Sequence, residues 1–75
     1  MRVTKGRYYI DPGDGEIIKI VLVGKEGYGV KVVRPSRWAS VGGIFSKGQI
    51  SLRGTIFIDP FFKPCPELKA MLYEY

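Results

Sequence analysis

Between Gly15 and Gly24 the chain runs Glu16-Ile17-Ile18-Lys19-Ile20-Val21-Leu22-Val23, and it returns through Tyr28-Gly29-Val30-Lys31-Val32-Val33. Both arms are rich in β-branched residues and Lys25-Glu26-Gly27 lies between them, the pattern of a β-hairpin. The outgoing arm is almost wholly apolar, which places it in the middle of a sheet with both faces partly covered. If Ile18, Ile20 and Leu22 point inward, Ile17, Lys19, Val21 and Val23 point outward. On the return Val30 and Val32 point inward, Lys31 and Val33 outward. An outer face this apolar requires a neighbouring segment or a second subunit over part of its length.

Composition narrows how such a sheet can be stabilised. The chain has 75 residues, no His and a single Cys, Cys65. A disulfide and the usual structural zinc site are therefore excluded, and one domain spanning 1–75 must rely on a closed core or on oligomerisation. No apolar run approaches the roughly 20 residues that cross a bilayer, and Met1-Arg2-Val3-Thr4-Lys5-Gly6 opens no secretory signal. The expectation is a cytoplasmic protein with no membrane partner. The absence of Asn and His, with one Gln, points toward a hot-living source.

The net charge of +5 is unevenly spread. Arg2, Lys5 and Arg7 give +3 to residues 1–10, and Asp11, Asp14 and Glu16 give −3 to the turn that follows. Residues 17–58 carry +6, and residues 59–75 carry −1. A basic sheet region, with a first turn and a tail that are not basic, is what a polyanion-binding face would produce, and also what a soluble small domain uses to avoid zero net charge.

Taken in order, residues 2–10 read as a first strand, with Gly6 at a bulge or bend and Asp11-Pro12-Gly13 as the turn that ends it. Arg34-Pro35 ends the hairpin's return. Ser36 to Gly43 is either a one-turn helix or a long loop. It holds Trp38, the only Trp, close after Arg34 and Arg37; the indole either stacks on a base or plugs the core. Ile44-Phe45 and Gln49-Ile50-Ser51-Leu52 flank Ser46-Lys47-Gly48 as a second hairpin. From Gln49 to Asp59 the alternation predicts one long strand bent at Gly54. Ile50, Leu52, Ile56 and Ile58 fall on its apolar face, and Gln49, Ser51, Arg53, Thr55 and Phe57 on the other. Phe61 and Phe62 are both expected to be buried. Pro66 and Glu67 start a helix over 66–75 whose stripe is Leu68, Met71, Leu72 and Tyr75. This helix is expected across an open barrel mouth or over the hairpin's valines.

Catalytic chemistry finds little here. There is no His, the carboxylates sit in turns and the tail, and no phosphate-cradling glycine loop precedes a helix. Asp11, Asp14 and Glu16 lack the spacing of a calcium loop. Cys65, at a helix N-terminus where a thiol is acidified, has no second Cys or His to act with. The chain reads as a non-enzyme without metal or cofactor.

Gly24-x-x-Gly27-x-Gly29-x-Lys31-x-Val33 resembles the short KOW element of ribosomal and transcription-factor SH3-like barrels, over ten residues. The ending Pro66-Glu67-Leu68-x-x-Met71-Leu72 resembles the terminal helix of small SH3-like chromatin proteins of archaea, although this chain is much poorer in Lys. The expected fold is mainly β: a small five-stranded SH3-like or OB-like barrel with a short C-terminal helix. The expected function is largely sequence-nonspecific binding of nucleic acid, DNA or RNA. Lys19, Lys31, Arg34, Arg37 and Arg53 would neutralise phosphates; Trp38 and Phe57, with Tyr9 as a further candidate, would stack. The alternative is an interaction or assembly module, such as a viral or plasmid-encoded adaptor, inhibitor or structural subunit, or a homo-oligomer. Its surfaces would be the apolar outer hairpin face, Phe61-Phe62 and Tyr73/Tyr75.

Overall fold

The structure, a computed structural model, describes residues 2–39 and 43–74. Its centre is the expected hairpin. Strand β2 (Ile17–Val23) runs antiparallel to β3 (Gly27–Arg34), and the Gly24 N–H donates to the Gly27 carbonyl at 2.9 Å to close the turn. Lys19 lies opposite Lys31 and Ile20 opposite Val30. The register shifts once between Ile17 and Ile18 and again between Ile20 and Leu22. Strand β1 (Tyr8–Ile10) pairs with the other side of β2, and β5 (Lys63–Pro64) pairs with β1. Strand β4 (Ile50–Gly54) pairs with β3. The result is one antiparallel sheet of order β4-β3-β2-β1-β5, not closed into a barrel, with β4 and β5 as its edges.

Three expected strands are shorter or absent. The first begins only at Tyr8, because Thr4–Arg7 forms a turn around Gly6, whose φ is +87°. Ile44-Phe45 belongs to a one-turn 3-10 helix, Gly43–Phe45, not to a hairpin arm. The long strand from Gln49 ends at Gly54, where the chain turns directly into helix α1 (Thr55–Ile58). A helical turn changes the periodicity from 2 to 3.6, so Ile58 is fully buried while Ile56 and Phe57 stand in solvent. Ser40, Val41 and Gly42, part of the expected loop or one-turn helix, lie outside the described residues.

Each face of the sheet carries its own cluster. On one, Tyr9, Ile18, Ile20, Tyr28 and Val30 receive Ile58 of α1 and Phe62, with Val3 at the margin. On the other, Tyr8, Ile17 and Val33 meet Cys65 and Ala70, with Ile10 and Tyr73 beside them. Ala70 belongs to α2 (Glu67–Met71), so this helix covers part of the outer hairpin face, one of the two docking places expected. Its orientation is the reverse of the expected one. The small Ala70 packs inward, whereas Leu68 and Leu72 are about four-fifths exposed. Ala70 permits close approach of a five-residue helix to Ile17 and Val33. Tyr75, the last residue of the expected stripe, lies outside the described residues. Leu22 and Phe61 are exposed rather than buried, and Phe62 alone of the Phe pair enters the core.

Two buried hydroxyls tie the sheet to the C-terminal third. Tyr8 Oη donates to Glu74 at 2.6 Å, and Tyr28 Oη donates to Asp59 at 2.7 Å. The second bond, together with burial and the nearby Asp59 charge, pushes the Tyr28 phenol up to about 12 from 10.0. A phenol whose pKa is higher in the fold favours folding fully below pH 10, and that contribution is lost as pH rises through 10 toward 12. The expected result is that Tyr28→Phe is less stable than the parent at pH 8, and that the gap narrows by pH 11.5. Urea midpoints at both pH values measure this; a gap independent of pH would show that the bond to Asp59 does not govern the titration.

Candidate nucleic-acid interface

Register decides which of the basic side chains come together. Lys19 and Lys31 are direct cross-strand partners, and Lys19 Nζ lies 5.6 Å from the centroid of the Tyr8 ring. Tyr8 belongs to the cluster under α2, so both lysines project from that face. Arg34 lies opposite Ile17, a member of the same cluster. Its guanidinium stacks 4.8 Å from the Tyr73 ring centroid and donates to Tyr73 Oη at 3.4 Å. Lys19, Lys31 and Arg34 therefore share one surface, with Glu74 close by through Tyr8.

Arg53 does not belong to it. Its side chain is 10% exposed and its two terminal nitrogens donate to both oxygens of Glu16, at 2.6 and 2.8 Å. Phe45 lies under the guanidinium, 5.0 Å from its carbon to the ring centroid. The bidentate pair bridges the start of β2 to β4 across the intervening β3. This corrects the assignment of Arg53 to phosphate binding: the group is occupied by the protein's own carboxylate. The cause is the orientation of β4, whose faces are the reverse of those its alternation predicts. Ile50 and Leu52 are 62% and 78% exposed, and Ser51 and Arg53 turn toward the interior. Glu16 offered a signal for this, since it shares the parity of Ile18 and Ile20, the inward residues of β2. A carboxylate on that face demands a cation.

The aromatic candidates are dispersed. Trp38 is 77% exposed and plugs no core. It follows Ser36, whose hydroxyl accepts the Trp38 N–H at 3.1 Å in a turn closed by Ala39 N–H to Ser36 carbonyl. Arg37 is exposed in the same turn, and its N–H donates to the Asp14 carbonyl at 3.0 Å. Trp38 and Phe45 line a shallow cleft of about 210 Å³ with Asp14, Glu16, Ser36 and Ala39. Carboxylates in that cleft oppose a phosphate beside the indole. Phe57, on α1, is exposed next to Gly54 and apart from the lysine pair's face. Tyr9 is buried, and its hydroxyl accepts the Thr4 N–H at 2.9 Å, which removes it as a stacking candidate.

The acidic turn is engaged internally: Asp11 accepts the Gly13 N–H and Asp14 accepts the Glu16 N–H, both at 2.8 Å. Cys65 is buried against Tyr8, with its N–H donating to the Tyr8 carbonyl at 2.9 Å. Burial pushes the thiol up, against a smaller opposing pull from Lys69, so the expected acidified thiol is not found. No helix among the described residues is long and apolar enough to cross a membrane. Comparison of the chain with models of known protein families, with characterised proteins and with solved structures finds no match.

Proposed function

We propose that this chain is a non-enzymatic binding module that holds nucleic acid against Lys19, Lys31 and Arg34. One observation carries the reading: two lysines face each other directly across adjacent strands, with Arg34 on the same surface. Like charges in direct register cost a sheet a few tenths of a kcal/mol to about 1 kcal/mol, and an arriving phosphate removes that repulsion. The ion pair formed among the described residues belongs to Arg53, not to this group. Trp38, with Arg37, supplies an exposed aromatic for a base at a second point of contact. The strand order, with a one-turn helix before the last strand, supports an SH3-like barrel left open, in preference to an OB-like one.

With three phosphates engaged, log K against log salt on duplex DNA is expected to fall with a slope of roughly −3. Lys19→Gln/Lys31→Gln reduces the slope to roughly −1. Trp38→Ala weakens binding with an unchanged slope and an unchanged melting temperature, since the indole is exposed. Fluorescence anisotropy on random-sequence duplex and single strands at two salt concentrations measures the binding in all three, and a thermal melt checks the stability of Trp38→Ala. Absence of binding at about 100 μM protein in low salt overturns the reading, because nonspecific binders reach that range.

A second reading, the interaction or assembly module, is favoured by the apolar surface. Among the described residues thirteen large hydrophobic side chains are exposed, including Ile50, Leu52, Ile56, Phe57, Leu68 and Leu72. The chain exposes 5108 Å², where an 8.4 kDa monomer is expected to expose about 4,600 Å².

A further inference from the structure

We propose that two copies of this chain associate through β4, antiparallel and edge to edge, with Leu52 on the two-fold axis. The inference gives the second reading its partner, and it stands whether or not nucleic acid is bound. It begins with the inverted strand. Ile50 and Leu52 form an apolar row turned to solvent by the need to bring Arg53 to Glu16. Pairing with another strand sets each Leu52 beside its counterpart on that face and covers part of the row.

The backbone says what kind of chain covers it. The Val32 N–H donates to the Gln49 carbonyl at 3.0 Å, and the Val32 carbonyl accepts from Gly48 at 2.8 Å. Along an antiparallel ladder these groups alternate, so Ser51 and Arg53 face β3, while Ile50, Leu52 and Gly54 direct N–H and C=O away from the sheet. None of the turn, loop or side-chain hydrogen bonds among the described residues uses those outward groups. Such an edge selects an extended strand. The usual protections are missing: β4 contains no Pro, no bulge interrupts its pairing, and its one charge is withdrawn into the pair with Glu16.

Two features select a second copy as the strand. First, the edge is self-complementary. With Leu52 opposite Leu52, each Ile50 lies opposite Gly54 of the other copy, where the Phe57 ring stands beside the backbone, 3.6 Å from where a Cβ would be. Second, the far edge of the sheet cannot compete. Strand β5 is only Lys63–Pro64, and Pro64 has no N–H to give. Pairing is thus confined to β4 with β4, which closes at a dimer instead of growing into a fibre.

Sedimentation equilibrium from 5 to about 500 μM, without nucleic acid, tests the proposal. The expected result is a monomer–dimer equilibrium that Leu52→Lys weakens at least about tenfold, while Leu68→Lys on α2 leaves it unchanged. In a Cys65→Ala background, Leu52→Cys is expected to cross-link on oxidation, because residues paired across the two-fold bring their Cα atoms to about 5.5 Å. Ile50→Cys, displaced along the strand from its counterpart, does not. A wild-type chain that stays monomeric to 500 μM overturns the proposal. So does an oligomer insensitive to Leu52→Lys, or cross-linking at Ile50→Cys equal to that at Leu52→Cys. Loss of nucleic-acid binding with the dimer intact refutes the polyanion reading alone.

Discussion

Glu16→Ala is expected to remove a large share of this protein's stability. The carboxylate is 5% exposed and makes both hydrogen bonds that hold the Arg53 guanidinium, whose Nε has no partner and whose side chain is 10% exposed. Removing Glu16 leaves an uncompensated charge where water does not easily reach, at a cost of about 3–5 kcal/mol. A chain of this length has about 4–11 kcal/mol to lose. The melting temperature should fall by at least about 15 °C. The double change Glu16→Leu/Arg53→Met is expected to recover the loss to within about 2 kcal/mol, because the penalty belongs to the orphaned charge. Thermal melts of parent, single and double variants decide it. A loss below about 1 kcal/mol for Glu16→Ala is the behaviour of a solvated surface pair. It would return Arg53 to the pool of cations open to phosphate.

Ile58→Ala is expected to cost about 2–5 kcal/mol, the range for truncating a fully buried aliphatic side chain. Ile58 is the plug that α1 sets against Ile18, Ile20, Tyr28 and Val30. Two residues earlier, Ile56→Ala should change stability by no more than about 0.5 kcal/mol, since that side chain is 69% exposed. The contrast distinguishes a helical turn from a continuing strand. On a strand Ile56 and Ile58 share a face, and both truncations would hurt alike. Chemical denaturation of the two variants reads the difference directly.

These two experiments mark where pattern reading succeeds and where it stops. The hairpin is legible because β-branched density and a glycine-bearing turn act locally, and its residues settle their own pairing. The inward set Ile18, Ile20, Val30 and Val32 is legible for the same reason. Strand β4 is not, because its orientation depends on a partner 37 residues away. Alternation states that a strand has two faces; it does not state which one looks inward. The charge of Glu16 held the deciding information, and hydrophobic patterning gives it no weight. Helix α2 repeats the lesson, as its largest apolar residues stand outward and Ala70 is the contact. Within the candidate site, Lys19 and Lys31 are brought together by a register that central positions in both arms make visible. Arg34 joins them through Tyr73, a contact that no spacing rule anticipates.

The buried position of Cys65 has a consequence for how the molecule can be watched. It shares a cluster with Tyr8 and Ala70 and also borders an open cleft lined by Lys5, Arg7, Pro66 and Glu67, and burial pushes its thiol above the ordinary range. The reactive thiolate is scarce while the helix stays docked. With no other sulfhydryl in the chain, alkylation faster than global unfolding would time a local opening of the C-terminal segment. That opening can be timed while the hairpin and the rest of the molecule remain folded.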